Sequence, residues 1–293
     1  MEVKGRFSGV TTIVIRFGGA QHFSRRNDRT EGPRYHGDCL LQSPKSAIRK
    51  ALAAAGLAVF RTRHRYLQDG LFTIHNDRFR RDPEFQEAYR RGLRAIANPG
   101  AEFEWRVHVA LWAAAASLRV PGDFVECGVN AGLISSAILH RLRWNSLDRR
   151  FFLIDTFRGP VLEQYSQEEI DRGRVQVAKD ALAAGSFVTD LDRVRANYAE
   201  WPRAVIVQGV VPEVLASLDI PRVAFLHIDM NCVYPERAAL EFFWSRLSEG
   251  ALVLLDDYAY FGHDLQAHAM DAAARKLGAG ILSLPTGQGL ILR

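Results

Sequence analysis

The sequence predicts an α/β protein built on a doubly wound sheet, mostly parallel with one antiparallel C-terminal strand, and preceded by N-terminal helices. Three observations carry this expectation. From residue 123 onward, short and nearly continuous apolar runs alternate with longer segments of helical spacing, the pattern of parallel strands covered on both faces. The last two runs are joined only by Pro285-Thr286-Gly287-Gln288, too short for a parallel crossover, so they pair as an antiparallel hairpin. Glycines and acids stand directly after several runs, where open α/β sheets bind ligands.

The elements follow in order. Residues 1–45 mix Gly, Arg, Pro and Ser with little periodicity and read as a mobile basic arm outside the domain. An N-terminal helical extension is expected over 46–100. From Ser46, the residues Ala47, Ile48, Ala51, Leu52, Ala55 and Leu57 recur at helical spacing. Asp82-Pro83-Glu84 places a capping residue before a first-turn proline and starts a second helix carrying Phe85, Ala88, Tyr89 and Leu93. Residues 102–118 begin with strand-like alternation but run straight into an alanine-rich stretch, and one helix is expected throughout. Pro121-Gly122 then breaks the chain, and the main domain occupies 101–293. Its apolar runs are 123–129, 151–154, 204–207, 223–228, 251–255, 281–284 and 289–292, with helical spacing over 211–218, 235–247 and 265–277. A single reversed strand at the end points to the class I methyltransferase version of this Rossmann-like fold, since dehydrogenases keep every strand parallel.

Composition narrows the function. The 293 residues are 48% hydrophobic and 24% charged, an ordinary globular balance. The net charge of +5 invites a nucleic-acid reading. Residues 1–100, however, hold 19 Lys+Arg against 9 Asp+Glu, and the remainder 19 against 24, so the basicity belongs to the first third alone. No apolar run is long enough for a membrane span or a secretory signal, and a cytoplasmic protein is expected. Cys39, Cys127 and Cys232 form no C-x-x-C pair, which excludes a cysteine zinc knuckle.

The candidate site residues lie at the ends of the runs. Glu126, Gly128, Asn130 and Gly132 form a turn on which a cofactor can approach the backbone closely; a tight structural turn is the alternative. Asp155-Thr156-Phe157 puts an acid where both hydroxyls of a ribose can be accepted, or where it caps a turn. Gln208-Gly209 follows the third run, near an adenine edge. Asp229, Asp256 and Asp257 end the fourth and fifth runs. Three carboxylates so close repel one another unless a cation intervenes, and hard oxygen ligands suit Mg²⁺. Joint ligation by Asp256 and Asp257 requires the strand to end there, because consecutive strand residues face opposite ways. His263 is a candidate catalytic base, with Tyr258, Tyr260 and Asp264 beside it. His227 is on the same strand face as Asp229 and reads equally as a packed histidine.

The runs VECGVNAGLISSAIL, LIDTFRG and FLHIDMNCVYPERAALEFFWSRLSEGALVLLDDYAYFG, with the closing LPTGQGLILR, together resemble the macrocin O-methyltransferase family over about residues 100–293. The resemblance implies Mg²⁺-dependent transfer of a methyl group from S-adenosylmethionine to a sugar hydroxyl of a secondary metabolite or glycan. It places Glu126, Gly128, Asn130 and Gly132 around the methionine part of the cofactor, Asp155 on the ribose, and Asp229, Asp256 and Asp257 on the metal. It also allows Trp105, Arg106 and His108 to line the opening from a covering helix, and a homo-oligomer with contacts through the N-terminal helices. Asn231 and Ala259 stand where relatives often carry acids, which leaves the base unassigned. Competing readings are a catechol-type methyltransferase and a silent cofactor-binding or nucleic-acid-associated protein of the same fold.

Overall fold

The computed structural model describes residues 66–96 and 102–293 and, before them, only 6–7, 10–11, 15–16, 52, 54 and 57–58. The chain divides into two compact units, residues 1–66 with 73–75 and residues 67–72 with 76–293. In the first, Arg6–Phe7 pairs antiparallel with Val10–Thr11, and Ile15–Arg16 with Leu57–Ala58. Leu52 and Ala54 are helical, as expected from Ser46 onward; the arm expected over 1–45 and the rest of that helix otherwise lie outside the described residues. Leu57, placed at the end of that helix by spacing, is strand.

In the second unit, Asp69 and Gly70 take φ of 51° and 71° and turn the chain between Gln68 and Leu71. Asp-Gly suits such a turn because both central residues need positive φ. Helix α1 (Pro83–Leu93) starts as expected, with the Asp82 side chain accepting from the Glu84 and Phe85 amides. Residues 102–118 do form one helix, α2 (Glu104–Ser117), and its buried face carries two charged residues, Glu104 and Arg106, among alanines.

Seven strands follow: β1 (Asp123–Cys127), β2 (Phe151–Asp155), β3 (Ala204–Gln208), β4 (Val223–Ile228), β5 (Leu247–Leu255), β6 (Leu282–Ser283) and β7 (Gly289–Leu292). Their order is β6-β7-β5-β4-β1-β2-β3. Strands β5, β4, β1, β2 and β3 are parallel, and β7 runs antiparallel to both of its neighbours. Strand order reverses between β4 and β1, which places the crevice beside the glycine turn.

Alternation sorts the core. Phe124, Phe151, Leu153 and Phe225 face α1, α2 and α3 (Leu133–Arg141), while Val125, Phe152, Ile154 and Leu226 face α7 (Val233–Trp244) and α8 (Asp264–Lys276). Between β2 and β3 lie α4 (Gln167–Asp171), α5 (Arg174–Ala183) and α6 (Leu191–Tyr198). The helix expected over 211–218 is only a 3-10 turn, Leu215–Ser217. Pro212 biases Val211 toward extended backbone and Pro221 closes the segment, leaving too few residues for an α-helix.

Candidate active site

The glycine turn after β1 is shaped by its neighbour strand. Gly128 has φ 88°, its amide donates to the Ile154 carbonyl at 2.8 Å, and a Cβ there would lie 1.8 Å from the Asp229 carbonyl oxygen. Asn130, at φ 49°, donates to the Ser186 carbonyl and accepts from the Val188 amide, tying the turn to the loop before α6. Asp155 is tied into the backbone on both sides. Its Oδ2 accepts from the Val129 and Asn130 amides at 2.8 and 2.9 Å, and its Oδ1 from the Phe157 amide at 2.7 Å, so the acid clamps two turns together.

Gly128, Asn130, Asp155, Thr156 and Gly209 nevertheless line one cavity. Gly132 and Gly209 are also glycine for packing reasons: a Cβ would meet Tyr198 Oη at 2.1 Å and the Val214 side chain at 2.5 Å. Phe157 is buried in the core and exposed Gln208 donates to the Thr156 carbonyl; neither lines this cavity or the one beside it.

A second cavity of about 570 Å³ adjoins the first, the two sharing Asn130, Phe187, Val188 and Asp229. Glu126, Gly132, Asp229, Asp256 and Asp257 line it, together with Asp69, Arg106 and Tyr260. Strand β5 ends at Leu255, which lets adjacent Asp256 and Asp257 reach one partner. That partner is Arg106. Its Nη1 donates to the Asp256 carboxylate and, at 3.2 Å, to Asp257 Oδ1; its Nε donates to Asp69 Oδ2 at 3.0 Å. The guanidinium lies 4.8 Å from the Tyr260 ring centroid, and Tyr260 Oη donates to Asp69. Gln288, from the PTGQG turn, donates to Asp256 Oδ1 at 2.8 Å.

Burial opposes the charge of Asp256, but Arg106 and then His227 outweigh it and hold this carboxyl well below the usual range. Withdrawal from water, with Asp256 and Asp257 nearby, pushes Asp229 well above it. His227, 0% exposed, puts Nδ1 2.9 Å from Glu126 Oε1 and Nε2 3.4 Å from Asp256 Oδ1. Burial works against an imidazolium there, but Asp256 and Glu126 overcome it and push His227 up to about 10.

Asp229, Asp256 and Asp257, expected together on a metal, all line this larger cavity. The atoms that converge to within 4.8 Å of one another belong to His227, Asp229 and Asp256, whereas Asp257 turns to Arg106 and lies 3.7 Å from His263. Two carboxylates and an imidazole fit a divalent cation. Among the described residues, acids outnumber bases here: Asp69, Glu126, Asp256 and Asp257 form ion pairs with Arg106 and His227, and Arg174 also acts on Asp257.

His263 caps α8 away from both cavities. Its Nε2 is 2.9 Å from Arg174 Nη2 and its Nδ1 2.8 Å from Gln266 Nε2. Burial, Arg174 and Arg106 push it down to about 4, so it is neutral at neutral pH. Cys127 and Cys232 are buried free thiols, as packing residues would be. Neither Asp69 nor Gln288 is marked as a site residue by the sequence alone. The Asp69-Gly70 turn was readable, but its partner, set by tertiary packing, was not. Among the described residues, no helix is long and apolar enough to cross a membrane.

Comparison with known proteins agrees with this architecture. A Streptomyces olivaceus protein described as 8-demethyl-8-(2,3-dimethoxy-alpha-L-rhamnosyl)-tetracenomycin-C 4'-O-methyltransferase is 30% identical over 146 residues, 48% of this chain and 54% of the relative. The chain thus spans about half the length of that curated relative. The O-methyltransferase NovP shares the fold, with a TM-score of 0.53 at 20% identity over 64% of this chain and 79% of NovP. The macrocin O-methyltransferase (TylF) family matches residues 107–284, more than half of the 293, and the chain belongs to that family.

Proposed function

We propose that the chain transfers a methyl group from S-adenosylmethionine to a sugar hydroxyl of a secondary metabolite or glycan. The observation that carries this reading is the pair of adjoining cavities at the carboxyl ends of the parallel strands. Both border the glycine turn, the first through Gly128 and Asn130 and the second through Asn130, Ala131 and Gly132; the second is also walled by carboxylates and roomy enough for a glycoside. The rhamnosyl 4'-O-methyltransferase relative supports a sugar acceptor over a catechol.

S-adenosylmethionine, when bound, supplies a sulfonium methyl that passes to the acceptor oxygen, leaving S-adenosylhomocysteine as product and the hydroxyl proton for a base. A divalent cation on Asp229 and Asp256, Mg²⁺ in the sequence reading, would orient the hydroxyl and lower its pKa. The residues do the positioning. Gly128 and Asn130 let the cofactor meet the backbone, and Asp155 holds that turn rigid through its amides. Arg106 and Gln288 fix the Asp256 carboxylate. Asp257, outside the converging trio yet lining the larger cavity, is the carboxylate left to accept the proton, with His263 behind it.

The test incubates the chain with isotopically labelled S-adenosylmethionine and a panel of rhamnosides and other deoxysugar glycosides, with and without chelator, read by mass spectrometry. Label on a sugar oxygen, lost in chelator, is expected. Label on a catechol, or full transfer in chelator, contradicts the acceptor or the metal respectively.

A further inference from the structure

Arg106 has carboxylates on two sides, and only one side belongs to the acids at the strand ends. Through Nη1 it donates to the Asp256 carboxylate, to the Asp256 carbonyl at 3.1 Å and to Asp257 Oδ1 at 3.2 Å. Its other edge turns to Asp69, with Nε donating to Oδ2 at 3.0 Å and Nη2 to Oδ1 at 3.5 Å. Tyr260 closes the arrangement: Oη donates to Asp69 Oδ1 at 3.1 Å, and the ring centroid lies 4.8 Å from the guanidinium carbon. The Asp69 and Arg106 side chains are each only 8% exposed, and both residues line the larger cavity.

We propose that Asp69 is a positioning residue for the divalent-cation site: by taking the Nε–Nη2 edge of Arg106 it neutralises and aims the guanidinium, leaving Asp256 and Asp257 the charge that binds the ion. Three arguments converge on it. First, a guanidinium is a rigid planar fork, so a carboxylate held on the Nε–Nη2 edge decides where Nη1 points. Second, charges this close and this buried interact strongly. Without Asp69, Arg106 would direct its whole charge at Asp256 and Asp257 and compete with a divalent ion; with Asp69 the pair carries no net charge. Third, Asp69 contributes no atom to the group that converges on a metal position, so its influence on the ion passes through Arg106.

Asp69 in this role presupposes the cation of the methyl-transfer reading, but neither the acceptor nor the transfer itself. The experiment takes the full chain, stripped with chelator, and titrates it with MgCl2 by calorimetry as wild type, Asp69→Asn, Arg106→Gln and the double variant. Asparagine tolerates the left-handed φ of 51° at this turn, so the backbone is kept and the charge alone is lost. One Mg²⁺ per wild-type chain is expected. Asp69→Asn weakens it by ~10–100-fold, the usual loss for a residue behind the metal ligands. In the Arg106→Gln background the same substitution changes the affinity by less than about 3-fold, because the side chain through which Asp69 acts is gone.

Equal weakening in both backgrounds reduces Asp69 to a distant charge and overturns the proposal. So does an Asp69→Asn protein that binds Mg²⁺ like wild type, or a wild type that binds none. Where Arg106→Gln does not fold, Tyr260→Phe decides, since it keeps every charge but removes the hydroxyl that holds Asp69. A loss of about 3-fold in Mg²⁺ affinity is expected from it on the scale of one hydrogen bond, and an unchanged affinity overturns the proposal. Titration of the same preparations with S-adenosylhomocysteine separates the two ideas. Cofactor binding by a wild type whose Mg²⁺ affinity ignores Asp69 removes the positioning role alone. The expected Mg²⁺ pattern without cofactor binding removes the methyl-transfer reading alone.

Discussion

Gly128→Ala is expected to give a chain that fails to fold or loses more than about 4–5 kcal/mol, an exceptional loss for one methyl group. The added Cβ would lie 1.8 Å from the Asp229 carbonyl oxygen and 2.5 Å from its carbon, and both are backbone held by β4. Relief requires parting β1 from β4 at the point where their strand ends form the crevice. The φ of 88° adds strain for any L side chain. Since a whole domain is stable by only about 5–15 kcal/mol, soluble yield and urea unfolding report the loss directly. Gly280→Ala is the control: nothing lies within 4 Å of its Cβ and its φ is not in the left-handed region, so stability changes by less than about 1 kcal/mol. A folded Gly128→Ala protein of wild-type stability would contradict the close approach of the two strand ends.

Asp256→Asn is expected to lower methyl transfer by about 10²–10³-fold, the scale of losing one preorganised charge at a reacting centre. Asparagine keeps the size and one acceptor oxygen for Arg106 or Gln288, so the cluster is not left with a hole. The charge facing the cation and Arg106 is gone. Alanine would be a poorer probe, because it also strips Arg106 and Gln288 of a buried partner. Asp256 lines only the larger cavity, so affinity for S-adenosylhomocysteine stays within a few-fold of wild type. An unchanged rate in steady-state assays of this variant would remove the acidic cluster from the chemistry.

How much of this was legible in the sequence depends on whether a signal is local. Strand positions were readable because strands buried on both faces are nearly continuous apolar runs, and the reversed β7 followed from the length of the Pro285–Gln288 link. The helices over 167–198 went unread although Ser166 and Glu169 form a capping box, a signal short enough to recognise. In the site, residue types were identified more accurately than their reasons. Asp155, Gly132 and Gly209 stand at the right strand ends, yet packing and backbone amides account for much of what they do.

The charge compensation was the least legible feature. Arg106 bonds to Asp256 across 150 residues of chain, and nothing near either residue announces the other. The one local hint was an arginine, with Glu104, on the largely apolar buried face of α2. That arginine pairs with both Asp256 and Asp257, and His227, which spacing left open between packing and chemistry, bridges Glu126 and Asp256.

The central claim is that the cavity lined by Gly128, Asp155 and Gly209 holds the methyl donor, and it can be tested without knowing the acceptor. Calorimetric titration of the full chain with S-adenosylhomocysteine is the direct measurement. The account predicts saturable binding of one equivalent per chain, retained within a few-fold in Asp256→Asn. Absence of binding by folded wild-type protein would contradict it.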